Sequence, residues 1–162
     1  MTASEDIVFD EFFRGPPTSA NGGYAAGVTA RLLGEPARVS LPKPPPVGRP
    51  LTPRRVEPGL KVFDGDEVVL VATARGRHDV RVPDIDLVAA RSAEAIPEII
   101  ANHAAPTCVV CGPGRADGLR IFPGSLGPGL VATSWRVPSI GCQDGEEVSS
   151  PILWAALDCP GG

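Results

Sequence analysis

Residues 19–33 read "SANGGYAAGVTARLL". Gly22 and Gly23 stand directly before a run that otherwise makes a good helix, and Gly27 stands inside it. A glycine in a helix interior costs about 1 kcal/mol against alanine. Two gains could offset that cost. Glycine lets a second backbone approach closely. At a helix start it also leaves the first N–H groups, which lack partners within the helix, open to an anion or a carbonyl oxygen at the positive end of the dipole. Ser19 or Asn21 can cap this helix and Gly34 can end it.

The surroundings bound the fold. A chain of 162 residues makes one compact domain or two small ones. Hydrophobic residues at 43% and charged residues at 21% suit a globular chain with a core, which aromatics at only 5% make aliphatic. The 19 glycines and 19 prolines predict many turns and short elements. A net charge of −4 with no dominant basic patch argues against nucleic-acid binding. No apolar run reaches membrane-spanning length. The acidic start "MTASEDIVFD" lacks a signal pattern, so a cytoplasmic location is expected. There the four cysteines are thiols or ligands rather than disulfides.

Around the helix, residues 7–13 ("IVFDEFF") read as a strand and "ARVSL" as a short alternating one. "LTPRRVEPG" reads as an edge strand, because Pro53 cannot donate to a ladder. "LKVFDGDEVVLVATARG" is a hairpin turning at Asp64-Gly65. One small-residue helix followed by antiparallel strands predicts an α+β layer. Residues 77–106 read as a connector. Beyond it come a Cys-rich turn, strand candidates at 119–122 and 130–137, and a capped helix in "SSPILWAALDCPGG". A weak internal repeat links strand 8–13 and helix 24–33 with strand 131–137 and helix 151–158. Both helices carry an aromatic followed by two alanines, Tyr24-Ala25-Ala26 and Trp154-Ala155-Ala156.

The order of these features resembles the hot-dog fold of acyl-CoA thioesterases, and most closely tandem hot-dog proteins. The residues that carry the resemblance are "NGGY" at the helix start, "PPPVGRPL" at 44–51 and "CVVCGPGRADGL" at 108–119. It implies a central small-residue helix wrapped by a curled antiparallel sheet in residues 1–76, a connector at 77–106, and the front part of a second hot-dog unit at 107–162. It also implies acyl-CoA or a related thioester as ligand, and no cofactor. Either a homo-oligomer or pairing with a further C-terminal segment would complete the second unit.

One branch of that family opens the central helix with His-Gly-Gly and places an acid about two turns on. The glycine amides polarise the thioester carbonyl, and the acid is nucleophile or base. Here Asn21-Gly22-Gly23 match the front of the motif, but Ala30 stands at the acid position. The second repeat shows the converse: "SSPILWAALD" matches the motif without a gap, with Asp158 at the acid position and Ser149, Ser150 and Pro151 at the His-Gly-Gly positions. The resemblance therefore implies one composite site, with Asn21, Gly22, Gly23 and Tyr24 binding substrate and Asp158 catalytic. An acid near a helix C-terminus is otherwise unfavourable.

Other readings stay open. The fold could bind an acyl thioester without turning it over. Cys108-x-x-Cys111-Gly resembles one zinc-ribbon knuckle, with Cys142, Cys159, His78 and His103 as further candidate ligands; this gives a zinc-stabilised interaction protein as a third reading. Against that stands the lack of a second close cysteine pair. Gly112, Gly114 and Gly118 do not fit a phosphate-loop spacing. Neither histidine has the context of a catalytic triad or a hydratase pair.

Overall fold

The computed structural model describes residues 5–77, 79–94, 102–143 and 147–161. A short strand β1 (Ile7–Val8) leads through a 3-10 turn (Glu11–Phe13) into helix α1 (Gly22–Leu33). Strands β2 (Ala37–Ser40), β3 (Pro50–Val56), β4 (Gly59–Asp64) and β5 (Glu67–Ala74) follow. They form a five-stranded antiparallel sheet in the order β1-β3-β4-β5-β2. The sheet is a strongly curled half-barrel, and α1 lies against β5, β2 and β4. This is an α+β architecture with few helices.

The helix limits follow from its caps. Asn21 Oδ1 accepts the Tyr24 N–H at 2.9 Å, and Gly34 takes the left-handed conformation (φ 85°) that closes the helix. Arg55 reaches over from β3 to donate to the Leu32 and Leu33 carbonyls, the unpaired acceptors of the last turn. The β4–β5 hairpin turns between Asp64 and Glu67, with a register shift at Val62/Phe63.

Four strand expectations change. Only Ile7 and Val8 of residues 7–13 are strand, because the Asp10 side chain accepts the Phe12 N–H and coils the chain instead. β3 is second in the sheet rather than an edge. Yet β1 covers only Pro50 and Leu51, so Pro53 faces no partner on that side and its missing N–H breaks no bond. Residues 119–122 form no named strand. The Leu119 and Ile121 amides instead donate to the Val109 and Val110 carbonyls. The candidate at 130–137 is strand only over Leu130–Ala132.

After β5 come α2 (Leu87–Ser92), the hairpin β6 (Gly124–Gly127) and β7 (Leu130–Ala132), the small pair β8 (Cys142–Gln143) and β9 (Glu147–Val148), and α3 (Ser150–Gly161). Helix α3 packs along α1 on the side away from the sheet. Two cores result. One joins Leu51, Leu60, Val62, Val69 and Leu70 of the sheet to Phe9, Ala25 and Leu33. The other joins Val109, Val110, Leu119 and Ile121 to Ile152, Ala155 and Ala156 of α3. Tyr24 touches both, its ring stacked on Phe13 at 3.9 Å. Among the described residues no helix is long and apolar enough to cross a membrane.

Candidate functional site

The two helices meet through glycine. A Cβ on Gly27 would lie 2.6 Å from Pro151 Cα, and one on Gly23 would lie 2.5 Å from both the Trp154 carbonyl oxygen and Asp158 Cβ. Real Cβ contacts essentially never fall below 3.0 Å. Close approach of α3 therefore accounts for both glycines. Gly22 differs: its nearest neighbours would be the ends of the Asp158 and Leu41 side chains, at 3.3 and 3.6 Å.

That approach brings Asp158, from the far end of α3, onto the first turn of α1. Its Oδ2 accepts the Gly23 N–H at 3.0 Å. The carboxylate is thereby held at the positive end of the α1 dipole, a favourable place for it. The Gly23 amide, expected to stand open, is donated to Asp158. The Gly22 N–H has no hydrogen-bond partner among the described residues.

A cleft of ≈ 610 Å³ opens at this contact. Ala26, Val39, Leu41, Leu153, Trp154 and Leu157 make its walls largely apolar, and Gly22, Gly23, Ser150 and Asp158 supply the polar groups. An apolar concavity of this size with a few converging polar groups suits a small ligand. Leu157 and Leu153 stay 75% and 44% exposed, so α3 presents a greasy rim.

Asn21 and Tyr24 are adjacent to this cleft in sequence but not among its walls. Asn21 is 3% exposed and faces the other side of the α1 start. Its Oδ1 is committed to the cap, so its Nδ2 must point away, and it donates toward Cys108 Sγ and Cys159 Sγ at 3.8 Å each. Tyr24 is held by the Phe13 stack, and burial pushes its hydroxyl pKa up.

Cys108 and Cys111 do come together, and Cys159 joins them. The Cys111–Cys159 sulfur distance is 3.2 Å and the Cys108–Cys159 distance 3.9 Å. Hydrogen bonds from the Cys111 and then the Cys159 thiols hold the Cys108 pKa well below the ordinary thiol range. Those of Cys111 and Cys159 rise in turn. His103 uses its Nδ1 to accept the Ala105 N–H. His78 and the Cys142 side chain lie outside the described residues.

The cysteine segment is anchored to the α1 entrance. Val109 N–H donates to the Arg14 carbonyl at 2.8 Å, and Arg115 Nη1 donates to the Phe12 carbonyl at 2.6 Å with its guanidinium over the Phe12 ring. Sequence spacing pointed to the Cys108/Cys111 pair. Cys159, 48 residues beyond Cys111, carried no local signal, and only the packing of α3 brings it in. No protein-family model matches the chain, and no curated protein or solved structure matches it either.

Proposed function

We propose that the chain is a hot-dog-type hydrolase of acyl thioesters, acting at the α1–α3 cleft. The observation that carries this reading is the Gly23 N–H paired with the Asp158 carboxylate, 3.0 Å apart, at the polar end of an apolar cleft. An acyl chain would lie along Val39, Leu41, Leu153 and Leu157. The thioester carbonyl would take the Gly22 and Gly23 amides, which polarise it and stabilise the oxyanion as it forms. Asp158 must then release Gly23, and its exposed position leaves it room to do so. The freed carboxylate takes a proton from water, whose oxygen attacks the carbonyl carbon. The C–S bond breaks and the thiolate leaves, to be protonated.

A second reading is favoured by the same bond. If Asp158 keeps Gly23, no amide is free beyond that of Gly22, and the cleft binds acyl thioesters without turnover. Hydrolysis and binding of an acyl-CoA series, measured on the chain and on Asp158→Asn, separate the two. The asparagine can still accept from Gly23, so the variant keeps the helix contact. Hydrolysis that falls at least about 100-fold in Asp158→Asn with binding retained supports the hydrolase. Binding with no hydrolysis by the parent chain supports the second reading. Neither binding nor hydrolysis across the series removes both.

A further inference from the structure

We infer that Cys108, Cys111 and Cys159 form a zinc site, independent of whatever the α1–α3 cleft binds. The three sulfurs lie within 4.8 Å of one another. A tetrahedral zinc with Zn–S near 2.3 Å spaces its thiolates about 3.8 Å apart. The sulfur separations of 3.2 and 3.9 Å need only small adjustments to meet that spacing.

Hydrogen-bond donors face the sulfurs. The capping role of Asn21 fixes its amide so that the NH₂ donates to Cys108 and Cys159. Donors of this kind are the outer shell that orients and tunes a metal's ligands. Gly112 belongs to the same design. A Cβ there would lie 2.5 Å from the Cys108 carbonyl oxygen and 2.6 Å from the Cys108 nitrogen, so the turn that brings the two sulfurs together excludes every other residue.

Charge and number point the same way. Cys108 and Cys111 are 3% and 9% exposed. If deprotonated, sulfurs buried this deeply need a cation between them. A disulfide would use two of the sulfurs and strand the third, and all three are free. Three soft ligands select zinc over magnesium or calcium. Among the described residues no fourth His, Cys, Asp or Glu joins these three. The metal would tie the last turn of α3 to the Cys108–Cys111 turn and so hold the neighbouring Asp158 against α1.

The test is zinc itself. The full chain, purified under reducing conditions from zinc-supplemented cells, should hold one zinc per molecule by elemental analysis. Competition with a chromogenic chelator should show an affinity more than about 100-fold weaker in Cys159→Ser, and about 10-fold weaker in Asn21→Ala. Because either variant could fold poorly, cobalt titration of the unaltered chain provides a second readout. A tetrahedral spectrum with thiolate-to-cobalt charge transfer supports the site. A reduced chain that binds zinc no more tightly than Cys159→Ser overturns it. So does a cobalt spectrum without thiolate bands, or a Cys111–Cys159 disulfide in chain prepared with zinc present.

Discussion

Gly23→Ala tests the α1–α3 contact most directly. On an isolated helix the change should stabilise by up to about 1 kcal/mol. Here the new methyl meets backbone: the Trp154 carbonyl oxygen at 2.5 Å and Ala155 Cα at 2.9 Å, with Asp158 Cβ also at 2.5 Å. None of these can swing aside, as a side-chain end could. Restoring ordinary contact at 3.4 Å requires α3 to retreat by about 0.9 Å. Overpacking of this kind costs roughly 1–3 kcal/mol, and rigid neighbours place it near the upper end. The retreat also stretches the Gly23–Asp158 hydrogen bond, worth about 1 kcal/mol for a partly exposed pair. Against the propensity gain, the net loss is about 3 kcal/mol. Urea unfolding should show a lower midpoint with an unchanged slope. Gly22→Ala is the control: its methyl meets only side-chain ends at 3.3 Å or more, so stability should hold within about 1 kcal/mol. A Gly23→Ala chain as stable as the parent, or more so, would refute the close approach and the placement of Asp158 with it.

Three further outcomes are expected. Leu70, fully buried in the sheet core, should lose about 2–5 kcal/mol on change to Ala, measured by the same unfolding. Arg55→Gln, which loses its charged donor to the last carbonyls of α1, should cost about 1 kcal/mol, and the loss should shrink in high salt. Zinc retention should fall as pH is lowered, because protons compete for the three thiolates, and rise toward neutrality; dialysis across a pH series followed by metal analysis reads the sign.

What the sequence made legible was local. Asn21 and Gly34 bracket α1 because capping needs only side chains and φ values a few residues away. The β4–β5 hairpin was equally plain from two β-rich runs around Asp64-Gly65. The strand expected at 7–13 gave way to one Asp10 side-chain bond that propensity does not weigh. Residues 119–122 have the composition of a strand but spend their amides on the cysteine segment, a choice made by tertiary packing. Of the residues matched to a family motif, Gly22, Gly23 and Asp158 line one cleft, and Asn21 and Tyr24 do not. That match said nothing of the Gly23 amide being given to Asp158, nor of Asn21 turning toward sulfur. Both depend on the side of α1 that α3 takes.

The Phe13–Tyr24 stack lies where α3 is tied to the rest of the fold. The rings lie nearly parallel, 7° apart, at the point where both cores share one side chain. Swinging α3 away would uncover the Phe13 and Tyr24 rings and part Asn21 from the Cys159 sulfur at the same stroke. The wall left to move is the one made by Val39 and Leu41, on and just past the edge strand β2. Were a long ligand to enter, that edge would have to lift, with the helix pair acting as the fixed jaw.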